Sequence, residues 1–162
     1  MFNLRKLTAF LRPASPAAPY DRAVRLLEIG AFAEAERELN ALLEAQCSDR
    51  ERAMGLNKRG VARVQQGRRA EAFGDFSAAL DSRPNFAPAI VNLGNLLLED
   101  GQLDEAILQY ERALRCDSLY AVAHMNLSAA YKRAGRHADA VREFRLASRV
   151  EGRLFKKKKR LG

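Results

Sequence analysis

Residues able to do covalent or metal chemistry are few in this chain, and they stand apart. The two histidines, His124 and His137, are thirteen positions apart. His124 falls at a helical packing position and His137 in a turn, which suits neither a metal-ligating pair nor a base with its orienting partner. Cys47 and Cys116 form no CxxC and have no histidine nearby, so neither a zinc site nor a disulfide framework is expected. Cys116 reads as a small core filler. The stretch GVARVQQG has the glycines of a phosphate loop but no lysine followed by Ser or Thr. No catalytic group, metal or cofactor is therefore expected. What remains is binding chemistry: the amides of Asn57, Asn92, Asn95 and Asn126, and the basic run Lys156, Lys157, Lys158, Lys159 and Arg160.

Those residues are positioned by a repeat. Gly67, Gly101 and Gly135 recur at a step of 34, and a step of 37 reaches Gly30. Around Gly101, the stretch Ala87 to Tyr120 places Ile90, Leu93, Leu97 and Leu98 at helical spacing, and Ala106, Tyr110, Ala113 and Leu114 do the same beyond the glycine. DGQLDE supplies the turn, with Gly101 able to take the positive φ that ends a helix. Gly94, Ala106 and Ala113 let a facing helix approach closely, and Tyr110 fills the space between. Neither helix hides its apolar stripe alone, so neighbouring copies must stack. The spacing predicts eight helices in four antiparallel pairs, with Gly30, Gly67, Gly101 and Gly135 in the turns within pairs.

The landmarks NLGN at Asn92–Asn95, Ala106, Tyr110 and Ala113, and NLSAAY at Asn126–Tyr131, Ala140, Phe144 and Ala147, resemble the tetratricopeptide repeat, a family of 34-residue helical hairpins. The second copy keeps Leu56, Gly60, Gly67, Ala72, Phe76, Ala79 and Pro84, but has Arg59 and Arg63 where the motif places Leu and an aromatic. The first copy is degenerate: Ala23, Leu26, Gly30, Ala35 and Leu39 fit, while Pro19 and Arg22 depart from the pattern. The resemblance implies an all-α, right-handed α-solenoid over 19–152, with repeats at about 16–49, 53–86, 87–120 and 121–154. A basic amphipathic segment with a proline-rich linker (1–18) would precede it, and a polybasic tail (153–162) would follow.

It also implies a concave groove lined by the first helix of each hairpin: Asn57, Lys58 and Val61, then Asn92, Asn95 and Leu98, then Met125, Asn126 and Lys132. Asn92 and Asn126 share a register, with Lys58 one step earlier, and would form a row resembling the peptide-binding asparagine ladder of long-repeat glycosyltransferase scaffolds. An asparagine offers both donor and acceptor and so pairs with any peptide backbone. The carboxylate clamp of chaperone cochaperones is not expected, since its slots hold Asn57, Val61, Val122 and Asn126 in one frame and Tyr20, Val24, Pro88 and Asn92 in the other. The function implied is a non-enzymatic scaffold that binds a peptide or partner segment. Its rivals are self-association and electrostatic adaptation to an anionic membrane or, less favoured, to nucleic acid.

Charge is unevenly placed. The net charge is +8, of which residues 1–20 supply +3 and residues 151–162 supply +5, leaving the body between them neutral. The leading MFNLRKLTAFLR is amphipathic and cationic if helical. It is open to reading as a loosely docked tail, an interfacial membrane or partner helix, or an organellar targeting peptide. Bases interrupt every apolar run there, so a secretory signal is not expected, and a reduced cytoplasmic setting, peripheral at a membrane in one reading, is. Ser48 with Glu51 has capping-box spacing. The Arg59 and Arg63 stems are expected to bury while their heads reach Glu36, Glu38 or solvent. Gly152 is expected to end the last helix, with Leu154, Phe155 and Leu161 as a partial cap and Lys156–Arg160 as an anionic-surface contact beyond it.

Overall fold

A computed structural model describes residues 18–161, and the readings of the first seventeen residues lie outside them. Eight helices follow one another: α1 (Pro19–Glu28), α2 (Phe32–Glu44), α3 (Asp49–Gln65), α4 (Arg69–Ser82), α5 (Ala87–Glu99), α6 (Leu103–Cys116), α7 (Ala121–Arg133) and α8 (His137–Leu161). There is no strand among the described residues. Each helix packs on its chain neighbours, and α1, α3, α5 and α7 also touch in succession while the even-numbered helices do not touch one another. The odd helices therefore form the inner, tighter layer of an α-solenoid of four hairpins and the even helices the outer one.

The hairpin turns are set by glycine. Gly101 has φ +80°, and Gln102 donates its backbone N–H to the Leu97 carbonyl at 2.9 Å, closing the end of α5 in the left-handed conformation that glycine takes without a Cβ penalty. Gly30, Gly67 and Gly135 adopt the same φ between 73° and 78°. The α3 start uses a different device: Glu51 N–H donates to Ser48 Oγ at 3.3 Å and Ser48 N–H to Glu51 Oε2 at 2.9 Å, a complete capping box.

Within hairpins two and three an aromatic ring lies on a glycine. A Cβ on Gly60 would stand 2.5 Å from the Phe76 ring, and one on Gly94 2.7 Å from Tyr110. Phe76 and Tyr110 are fully buried as a result, as is Leu39 at the matching place in hairpin one. In hairpin four the glycine is replaced by Ser128, whose hydroxyl donates to the Ala140 carbonyl at 2.7 Å, and Phe144 is 52% exposed.

Hairpins one and two meet through charge. Asp75 on α4, with its side chain 4% exposed, accepts from Arg59 at 2.7–3.2 Å and from Arg63 Nη1 at 2.9 Å. Arg59 also donates to Asn40 Oδ1 at 2.7 Å, and Arg63 Nε to Glu36 Oε1 at 2.9 Å, both acceptors on α2. Arg63 reaches Glu36 as expected, whereas Glu38 pairs with Arg22 and the shared anchor is Asp75. Burial pushes the Glu36 carboxyl up, but hydrogen bonds from Arg63, Arg68 and Gln66 outweigh it and hold the group below the usual glutamate range. Because the folded value lies below the unfolded one, this stabilisation is complete above about 4.5 and is lost as pH falls through the lowered value. Thermal melts across an acid pH series should therefore show a shallower acid limb for Glu36→Gln than for the native chain; superimposable slopes would count against this role.

Three expectations are corrected. Gly152 does not end the last helix, because α8 runs 25 residues through it, and the run 156–160 is part of that helix, its side chains lying outside those described. A glycine inside a helix costs only about 1 kcal/mol relative to alanine, which the helix formers after it offset. Cys116 is exposed at the last position of α6, three residues beyond the buried Ala113, and is no core filler. His137 opens α8 instead of sitting in the turn.

Candidate functional site

The inner layer holds two adjoining depressions. One, of about 450 Å³, lies between the first three odd helices and is lined by Lys58, Val61, Asn57 and Asn92, together with Met54, Pro88, Tyr20, Phe86, Tyr120, Arg50 and Arg83. The other, of about 180 Å³, shares Val61 and Asn92 and adds Asn95, Val64, Gln65 and Glu99. The structure thus brings together Asn57, Lys58, Val61, Asn92 and Asn95. Leu98 packs partly buried against the core, while Met125 and Lys132 are exposed on α7 and line neither depression.

The asparagine row exists, but its members bond to one another. Asn92 Nδ2 donates to Asn57 Oδ1 at 2.9 Å and Asn126 Nδ2 to Asn95 Oδ1 at 2.7 Å, each reaching back to the preceding hairpin. The Tyr110 hydroxyl also donates to Asn95 Oδ1 at 2.8 Å. Asn92 and Asn126 are half-buried rather than freely solvent-facing. Each keeps a second amide hydrogen and its carbonyl oxygen without a partner among the described residues, so the pairs orient the amides and leave one donor and one acceptor of each unused.

Around the larger depression Arg50, Lys58 and Arg83 supply three cations, and no carboxylate lines it. Arg83 lies over the Phe86 ring at 5.2 Å. Burial raises the Tyr20 and Tyr120 phenols above their ordinary range, with a smaller push from Asp21 and Asp117, so both stay protonated donors at neutral pH. Arg50, Arg83, Tyr20, Phe86 and Tyr120 were not predicted as site residues. A signal was present for two of them: Phe86 and Tyr120 immediately precede the first helix of successive hairpins, 34 positions apart.

Among the described residues no group of His, Cys, Asp and Glu could hold a metal ion, and no helix is long and apolar enough to cross a membrane. His124 is buried, with Nδ1 2.8 Å from Glu143 Oε2 and Nε2 3.2 Å from the Ser118 carbonyl, a clamp between α7 and α8 with both ring nitrogens engaged.

Family models described as tetratricopeptide repeats match residues 20–86, 76–108 and 94–135, an unbroken span through all four hairpin turns. The chain belongs to the tetratricopeptide repeat family. Among solved structures, a MamA crystal structure superposes with a TM-score of 0.68 at 21% identity, covering 93% of this chain and 86% of that one. MamA 41-end from Desulfovibrio magneticus RS-1 gives 0.65 at 20% identity, covering 90% and 81%. The second tetratricopeptide domain of Spaghetti (RPAP3), bound to the HSP90 peptide SRMEEVD, gives 0.57 at 18% identity, covering 61% of this chain and 92% of that one. These likenesses are of fold. Tetratricopeptide repeats make a non-catalytic scaffold, and the concave layer described above is the surface that such a scaffold presents.

Proposed function

We propose that this protein is an interaction scaffold whose concave layer holds an extended segment of a partner protein, with acidic side chains on that segment preferred. The observation that carries the reading is the meeting of oriented asparagine amides with a cation-lined, carboxylate-free depression of about 450 Å³. The amides would hold the peptide backbone, while Arg50, Lys58 and Arg83 attract carboxylates and Met54, Val61 and Phe86 offer apolar contact. Adjacent helices about 10 Å apart are bridged by about three extended residues at roughly 3.3 Å each. The peptide complex of the Spaghetti domain, with its two glutamates and aspartate, supports the same use of the fold.

Asn92→Ala should weaken binding of an acidic peptide severalfold, since each neutral hydrogen bond contributes about 0.5–1.5 kcal/mol net. Lys58→Ala combined with Arg83→Ala should weaken it further and remove most of its salt dependence. Titration calorimetry against an acidic peptide and its amidated, charge-neutral counterpart reads both effects. Equal affinity of the two peptides for the native chain would end the acidic preference, and unchanged affinity of the Asn92 variant would end the backbone role.

A further inference from the structure

The last hairpin leaves open a position that every earlier hairpin buries. Leu39, Phe76 and Tyr110 occupy one place in the first three hairpins with 0–1% exposure, and Phe144 occupies it in the fourth at 52%. Each of the first three hairpins is followed by another, whose first helix packs on the hairpin before it, through the α2–α3, α4–α5 and α6–α7 contacts. Nothing among the described residues packs there on α8. Val141 at 50% and Phe155 at 72% lie with Phe144 on one stripe of α8, joined by Ser148 and Gly152 at helical spacing. A side chain at Gly152 would meet nothing within 4 Å, so this glycine serves no packing contact of its own chain. The small middle and bulky ends form a shallow saddle along the exposed side of the helix.

Charge says what sits in the saddle. Arg145 and Arg149 are exposed, one helical turn apart, on one flank of the stripe, and neither has a partner among the described residues. Arg69 of α4 shows how a second helix bonds to the first helix that follows: it reaches Glu99 at the end of α5 and Asp100 just beyond it. A second copy of this chain would bring arginine row against arginine row in a two-fold pairing, which charge opposes. We infer that the α8 stripe docks an acidic amphipathic helix of a partner protein, which sits on α8 as the first helix of the next hairpin sits on each earlier one. Its apolar stripe meets Val141, Phe144 and Phe155, and its carboxylates meet Arg145 and Arg149. This surface is separate from the concave layer.

The test uses the full chain and a synthetic helical peptide with leucines at i, i+3, i+7 and i+10 and glutamates flanking them, labelled for fluorescence anisotropy. Saturable binding is expected, with a loss of about tenfold or more on Arg145→Glu plus Arg149→Glu and a similar loss on Phe144→Ser. Arg37→Glu plus Arg25→Glu, the same charge change placed on α1 and α2, should leave it unaltered. The lysine-for-glutamate peptide should fail to bind the native chain and regain binding to the arginine-to-glutamate variant. Helical content by circular dichroism verifies that each variant is folded. Binding that survives the α8 substitutions overturns the inference. So does a concentration-dependent dimer abolished by Phe144→Ser, which assigns the stripe to a second copy. Capture by phosphatidylserine vesicles without peptide binding also overturns it and assigns the stripe to a lipid surface.

Discussion

Asp75→Ala should be among the most destabilising single substitutions in this chain, lowering the unfolding free energy by about 3–5 kcal/mol, because it leaves two largely buried guanidinium groups without their shared anion. Arg59 and Arg63 keep only Asn40 and Glu36 in its absence, with a distant 3.8 Å contact from Arg63 to Glu71. Urea denaturation at neutral pH measures the loss. The companion variant is informative: replacing Asp75, Arg59 and Arg63 together with leucine and methionine side chains should cost far less than Asp75 alone, since the desolvation of all three charges is removed at once. A loss below about 1 kcal/mol for Asp75→Ala would mean that the arginines find water or other acceptors, and that the charged seam contributes little.

Phe76→Ala and Phe144→Ala change the same residue type at the same place in two hairpins, and they should differ severalfold in cost. Phe76 is 1% exposed with its ring on Gly60, so its removal opens a cavity and should cost about 3–5 kcal/mol. Phe144 is half out of the fold, and its removal should cost about 1 kcal/mol or less. Parallel thermal melts of the two variants compare the values directly. Equal losses would show Phe144 to be as well packed as its counterparts and would remove the open face of α8.

The hairpins were legible because their turns need a residue that tolerates positive φ and only glycine recurs where such a residue must sit. The aromatic-on-glycine contacts of Phe76 and Tyr110 were legible for a related reason, since a small residue and a large one held fixed spacing on facing helices. The charged seam was half legible. Arg59 and Arg63 stood out against the apolar pattern, but Asp75 did not, because a single acid in an otherwise ordinary helix reads as a solvated side chain. The missing clue was internal: Arg22 and Glu38 stand sixteen apart in the first hairpin, as Arg59 and Asp75 do in the second, and both pairs close in the structure. In the third and fourth hairpins the arginine position holds Leu93 and Leu127. The asparagine row was legible as a register but not as a set of bonds, since spacing along one chain does not tell whether an amide faces a ligand or the next hairpin. The helical course beyond Gly152 was missed because one glycine was weighed above the run of helix formers that follows it.

A chain of near-copies has a problem of sequence order: an apolar seam of the kind formed by Ile107, Tyr110, Ala123 and Leu127 would accept almost any similar hairpin. The seam of Arg59, Arg63, Glu36, Asn40 and Asp75 would not. A hairpin two placed against anything other than hairpin one would take Asn40 from Arg59 and Glu36 from Arg63, leaving both on Asp75 alone, and a hairpin one placed elsewhere would strand Glu36. The charges thus act as a key that fixes which unit comes first. Duplicating or deleting a hairpin should be tolerated between the third and fourth units, whereas a splice between the first and second should yield a chain that fails to fold.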